Sequence, residues 1–370
     1  MPYEDYVKTY NIDSCNKLFN IIQGKGDYQD IRENFIFRGV KNISYTLIPS
    51  VLRKLKDSKN YLITEFIEDS YRSNITLHNE KNKSRRIGQI DKYNNITRRD
   101  KNNLDHVTSL DEADIKKEMK ILLKFLDYAD KSGLHVPFNE RIRENIHRQT
   151  DYKSKPEYFD CWPDISYLEI ISLAQHYGLP TRALDWTYDY KVALYFAVIG
   201  VLDEEKGTEK DCLLWALNYK KFENNYQGRS ALWGNFPLNF YRPEYNKNPN
   251  LAAQKGLFTI LIDYYEKFDK RPLNLKQPLD KVLAKILDYN KKPERSNENE
   301  SVYKVWNLNE FTMDDNEKIF YKFIIPGKIK SKILRELYIE GYSEEYLFPG
   351  YSGVALSIEN RVKLDKKLNK

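Results

Sequence analysis

Residues 174–198 read AQHYGLPTRALDWTYDYKVALYFAV, and this stretch decides the fold. A helix leads into it. Ser166 and Glu169 have capping-box spacing, and Leu168, Ile171 and Leu173 or Ala174 supply a buried side. Gly178 and Pro180 then stop that helix. TRALDWT (181–187) is too short and too polar for another helix and predicts a strand or an extended turn. YKVALYFAVIG (190–200) is apolar on every side and predicts a compact buried helix, capped by Thr187 or Asp189 and ended by Gly200.

A plain core segment needs no such series of polar groups as His176, Tyr177, Thr181, Arg182, Asp185 and Thr187. Two accounts stay open at this point. In one, Arg182 and Asp185 satisfy each other in a buried knot. In the other, hydroxyls and ring edges hold a ligand near a helix N-terminus, which favours negative charge.

Working outward, FIFRGV (35–40) reads as a buried strand with Arg38 inside it. An arginine there is costly unless it is paired, or unless its planar fork grips an anion. YTLIPSVLR (45–53) follows, with Pro49 breaking its pattern before a helix begins. Residues 73–108 are rich in Asn, Lys and Arg and read as a surface insertion, with a basic arm for nucleic acid as the sharper reading. In 112–131, Ile115, Met119, Leu122, Leu126 and Ala129 form one helical stripe. DCLLWALN, KGLFTILI and IFYKFIIP are strand-like runs from 211 onward, and Gln254 and Gly256 open the second of them. Residues 265–310 read as a second polar excursion, and Ile329, Ile333, Leu334 and Leu337 share a face of a helix over about 328–340. LFPGYSG (347–353) reads as a turn that packs Phe348 and Pro349 on the core, followed by a charged tail. The expected organisation is one α+β domain: a helical lead-in over 1–34, the body over 35–356 and a tail over 357–370.

The 370 residues carry a net charge of +6, mildly basic, which permits a polyanion partner without demanding one. Cys15, Cys161 and Cys212 are far apart and odd in number, so neither a disulfide framework nor a paired-cysteine metal site is expected. With no signal region and no run long enough for a bilayer, a cytoplasmic protein without membrane contact is the expectation. P-loop, dinucleotide-fingerprint and Ser-His-Asp patterns are missing from the sequence, and no metal is expected.

These pieces resemble the FRG-domain family, named for a Phe-Arg-Gly motif, which stands here as Phe37-Arg38-Gly39. AQHYGLPTRALDWT followed by VALYFA is close to the family's longest signature, and AQKGLFTI, IIPGKIKSKILREL and LFPGYSG look like its later blocks. The order of an aromatic-Arg-Gly strand, a polar strand ending in threonine, a small buried helix and a late strand also looks like the ADP-ribosyltransferase fold. That second likeness implies a mixed β core with peripheral helices, NAD as substrate, and a toxin or phage-defence effector. It further implies an RNA or protein acceptor and a neutralising antitoxin. Carried over, Arg38 would anchor NAD, Thr187 would shape the nicotinamide pocket, and Gln254 would occupy the position of the usual glutamate. An amide cannot act as a general base, so either another carboxylate, Asp185, serves in its place, or the chemistry rests mainly on electrostatics and positioning. The implied catalytic set is Arg38, Asp185, Thr187 and Gln254; the nucleotide-binding set is Arg38, Gly39, His176, Tyr177, Thr181, Arg182, Thr187 and Tyr195. The alternative is a binding module with an inherited cleft and no chemistry.

Overall fold

The computed structural model describes residues 3–53, 112–137, 161–205, 207–223, 237–264, 276–291 and 318–369. The insertion expected at 73–108 lies outside the described residues. Contacts divide the chain into two compact units where the sequence predicts a single domain. One comprises Met1–Ile48, Ala183–Leu261 and Pro278–Lys370; the other Pro49–Arg182 and Ile262–Gln277. The chain passes from one to the other inside the decisive stretch, between Arg182 and Ala183.

The first unit is built on a seven-stranded sheet. Its strands are β1 (Val7–Asn11), β2 (Phe35–Val40), β4 (Ala183–Thr187), β5 (Cys212–Asn218), β6 (Leu238–Tyr241), β7 (Gly256–Leu261) and β9 (Phe320–Ile325), in the spatial order β1-β9-β5-β2-β4-β7-β6. β1 runs parallel to β9, and the other pairings are antiparallel. Its helices are α1 (Cys15–Ile22), α4 (Tyr190–Val198), α5 (Lys220–Glu223), α6 (Pro249–Ala253), α7 (Leu279–Lys291), α8 (Lys330–Ile339), α9 (Glu344–Leu347) and α10 (Tyr351–Leu368).

Side chains alternate along β2. Phe35 and Phe37 turn into a core shared with α1, α4, β5, β9 and α8; Ile36, Arg38 and Val40 turn the other way. Fully burying each such aromatic contributes about 1.5–3 kcal/mol. Gly39 shares the Phe37 side. A Cβ there would stand 1.9 Å from the Ala193 carbonyl oxygen and 2.7 Å from the Ala197 nitrogen, so only glycine lets α4 lie this close. The three motif residues therefore have three jobs: core, opposite face, and helix clearance.

Asp189 caps α4, accepting from the Lys191 backbone N–H at 3.0 Å. Gly200 does not end that helix. It lies inside a 3₁₀ turn, Ile199–Asp203, that continues it, and it is not in the left-handed conformation a terminating glycine adopts. Two further expectations change. The lead-in contains the edge strand β1 as well as a helix, hidden because only Val7 of its five residues is buried. The stretch 265–310 contains α7, whose Leu279, Val282, Leu283, Ile286 and Leu287 are all buried. Beyond the LFPGYSG turn the chain is helical through α10. Gly353 is what allows the helix to pass the Phe348 carbonyl, which a Cβ would meet at 2.0 Å; Phe348 packs on the core as expected, whereas Pro349 is exposed.

The second unit holds α2 (Glu112–Lys131), α3 (Leu168–His176) and the two-stranded β3 (Cys161–Trp162) with β8 (Asp263–Tyr264). The α2 stripe forms: Ile115, Leu122, Leu126 and Ala129 are buried, and Met119 is half-buried. The cap before α3 is Asp164, not Ser166. Its carboxylate accepts from the Ser166 backbone N–H at 2.9 Å and opens a 3₁₀ turn, Ile165–Tyr167, that runs into α3.

Candidate functional site

The sheet of the first unit has a seam. β2 pairs with β5 along its whole length, from Phe35 opposite Asn218 to Val40 opposite Leu213, and β4 pairs with β7 likewise. Between β2 and β4 the register has the single pair Phe37 opposite Thr187. Arg38 is the next residue along β2, where that pairing stops. Its Nη1 donates to the Asp185 carbonyl at 2.7 Å and to the Asp185 carboxylate at 3.2 Å. The Arg38 side chain is 16% exposed and that of Asp185 51%. A guanidinium has five donors, and these contacts employ one of its nitrogens.

Next to Arg38 in register stands Trp215, and next to Trp215 stands Lys322. Trp215 is 3% exposed, and its indole Nε1–H has no hydrogen-bond acceptor among the described residues. A buried donor left unmade costs about 1–3 kcal/mol. The Lys322 ammonium lies 5.3 Å from the centre of the Trp215 ring. Arg38, Trp215 and Lys322 thus form a row of donors across three neighbouring strands, on the sheet face opposite α4.

Thr187 and Gln254 sit near each other, but the Thr187 hydroxyl and the Gln254 side-chain N–H are committed. The Thr187 hydroxyl donates to the Gln254 carbonyl at 2.7 Å and accepts from the Asp189 backbone N–H at 3.0 Å, which fixes the corner leading into α4. The Gln254 amide donates to the Leu347 carbonyl at the end of α9, 3.1 Å away. Gln254 closes α6, and β7 begins at Gly256. Asp189 also holds the Lys255 ammonium at 2.8 Å and the Tyr342 hydroxyl at 2.9 Å. The hydrogen bond to Asp189 raises the Lys255 pKa, against its partial burial. Tyr195 is 2% exposed, and its hydroxyl donates to Glu344 at 2.7 Å; burial first, then that carboxylate, raises its pKa. Gly39 is occupied beneath α4.

The remaining residues of the sequence-derived set belong to the other unit. Arg182 does not pair with Asp185. Its Nε and Nη2 make a fork to Glu118 of α2 at 2.7 and 2.8 Å, its Nη1 donates to the Trp162 carbonyl at 3.2 Å, and the Trp162 ring lies beneath it. The Trp162 indole donates to the same carboxylate at 2.9 Å. Arg182 and Glu118 are 3% and 5% exposed. Thr181 is also buried, its hydroxyl donating to the Gln175 side chain at 2.8 Å and its N–H to the Ser50 hydroxyl at 3.0 Å. His176 and Tyr177 meet edge to face, with Tyr177 exposed. The buried knot of the sequence reading exists, with Glu118 in place of Asp185. Glu118 was legible: it sits three residues after Ile115 and four before Leu122, on the apolar side of α2.

Burial pushes the Cys212 thiol up to about 12 and also raises that of Cys15, so neither supplies a thiolate at neutral pH. Among the described residues, no three His, Cys, Asp or Glu side chains cluster as a metal site, and no helix is long and apolar enough to cross a membrane.

Residues 107–206 match the FRG domain. The matched segment takes in Glu118, Arg182, Asp185, Thr187 and α4. Arg38 and Gln254 lie outside it, so the FRG match is shorter than the span of 35–356 over which the sequence blocks resemble the family. No curated protein and no solved structure matches the chain.

Proposed function

We propose that the chain binds NAD at the β2–β4 seam and transfers its ADP-ribose to an acceptor. The observation that carries this reading is the state of Arg38: partly exposed, at the point where the two strands part, and held by a carboxylate that is itself half exposed. The Trp215 indole N–H and the Lys322 ammonium extend the same face with donors suited to a diphosphate. Arg38 anchors the diphosphate. Asp185, released from Arg38 as the ligand takes its place, stands beside the reacting ribose.

In that reaction the bond between the ribose C1′ and the nicotinamide nitrogen breaks, and nicotinamide leaves neutral with the electron pair. The acceptor's lone pair forms the new bond at C1′, and the acceptor's proton passes to Asp185. The oxocarbenium-like state between these events is favoured by a fixed negative charge, so positioning and electrostatics supply most of the rate. Thr187 and Gln254 act as positioning residues through the β4–α4 and α6–β7 corners. The acceptor is RNA or protein, and a toxin or phage-defence role with a neutralising partner fits such chemistry.

A second reading keeps the binding and drops the chemistry. It is favoured by the commitment of the Thr187 hydroxyl and the Gln254 amide to backbone carbonyls. Incubation with NAD labelled in its adenylate phosphate, together with cell lysate, separates the two. Transfer predicts free nicotinamide and label that survives on material sensitive to protease or to nuclease. Saturable NAD binding without nicotinamide release selects the binding module. Neither binding nor release removes both.

A further inference from the structure

The last helix, α10, has two different faces. Gly353, Ser357, Asn360 and Leu364 are buried, and the Asn360 amide donates to Glu344 at 2.7 Å. Near its end, the Lys367 ammonium donates to the Val201 carbonyl at 2.6 Å. The helix is therefore fixed to its own unit along one side. The other side carries Tyr351, Val354, Ile358 and Val362, exposed by 97%, 48%, 63% and 49%, followed by the exposed Asp365. At about 100° per residue these five fall within an arc of roughly 80°. An apolar stripe in this position contributes nothing to the fold of its own chain.

The order of the stripe is informative. Reading from Tyr351, its steps are three, four, four and three residues, the same from either end, with Ile358 at the centre. We propose that this face is the contact of a symmetric homodimer, in which the α10 helices of two copies lie antiparallel about a two-fold axis at Ile358. A two-fold contact must be self-complementary, and this stripe is. Ile358 meets Ile358 of the second copy, and Val354 meets Val362 of the second copy. The Tyr351 hydroxyl, a donor, meets the Asp365 carboxylate, an acceptor, at both ends. A parallel arrangement would instead set Asp365 against Asp365. Two of the cations beside the stripe are spent within the chain: Arg361 on Glu345 at 3.0 Å and Lys363 on Glu359 at 2.8 Å. One pair of 18-residue helices buries less than a standard interface of about 1,600 Å², so the association is weak and reversible.

Sedimentation equilibrium of the full chain from about 1 to 500 µM brackets such an affinity. The mass is expected to rise from monomer to dimer, and Ile358→Glu is expected to weaken association about tenfold or more with an unchanged thermal melt. Cross-linking with a short bismaleimide, in a background that carries Cys15→Ser and Cys161→Ser and keeps only the buried Cys212, tests the register. Ile358→Cys should link to itself. Val354→Cys should not, but should link when mixed with Val362→Cys. A monomer at every concentration overturns the proposal, and so does self-linking of Val354→Cys as efficient as that of Ile358→Cys.

Discussion

Two arginines, one in each unit, answer the same physical problem in opposite ways. Arg182 is sealed: a two-pronged carboxylate, a carbonyl and an indole ring enclose its guanidinium, and Glu118 is as buried as it is. Arg38 touches its carboxylate from one nitrogen, and Asp185 is half in water. A sealed pair is a structural commitment, because separating it leaves an uncompensated charge in a dry interior. A loose, partly wetted pair costs little to exchange, and a guanidinium so held can turn to an arriving anion. The difference directs attention away from the segment matched as FRG domain and towards a residue outside it.

The largest effect should come from breaking the sealed pair. Glu118→Ala is expected to cost about 3–5 kcal/mol of stability by leaving Arg182 buried and alone. Urea denaturation followed by tryptophan fluorescence would read it, and a loss below about 1 kcal/mol would mean that the knot relaxes or wets. Gly39→Ala comes next, at about 1–3 kcal/mol or more, because its methyl group must displace the α4 backbone at Ala193. An unchanged melt would show that α4 is free to move off β2.

Trp215→Phe sharpens the comparison on the side of the seam. It deletes a donor that has no acceptor among the described residues, and that gain is offset by the packing lost with the smaller ring, so stability is expected to change by less than about 1 kcal/mol. NAD affinity should nevertheless fall several-fold. A marked stability loss with unchanged affinity would assign the indole to packing alone.

The smallest effect concerns the C-terminal helices. Partial burial alone would raise the Glu345 pKa, but hydrogen bonds from Ser357, Ser343 and Arg361 outweigh it and bring it down to about 2. A depressed carboxyl pKa contributes stability that is full above the unfolded value near 4.5 and is lost as pH falls towards 2. The side chain is 39% exposed, so the contribution is screened and small. Melting curves of wild type and Glu345→Gln should differ slightly at pH 6 and converge near pH 2; a constant gap would refute the pairing.

Periodic signals gave the right elements: the α2 stripe, the β2, β5, β7 and β9 runs and the buried α4 were legible as apolar patterns. What escaped depends on contacts between distant positions. β1 is a half-exposed edge strand, and its partner β9 lies some 300 residues away in sequence. α7 was masked by its Lys and Asp residues, although Leu279, Val282, Leu283, Ile286 and Leu287 keep helical spacing. At the site, the sequence singled out both arginines, and Glu118 stood out on the apolar side of α2, but nothing in the sequence joined either arginine to its carboxylate. Asp185 is three residues from Arg182 and 147 from Arg38, and it was the distant one that it joined. The roles of Thr187, Gln254 and Gly39 were equally out of reach, since each turns on a backbone group brought close by the fold.

The most direct test of the central claim is a calorimetric titration of NAD into the wild-type chain and into Arg38→Ala, with thermal melts of both. The account predicts saturable binding by wild type, its loss in Arg38→Ala, and melts that agree closely. Equal binding by the two proteins, or an Arg38→Ala chain that unfolds as a sealed-pair variant would, contradicts it.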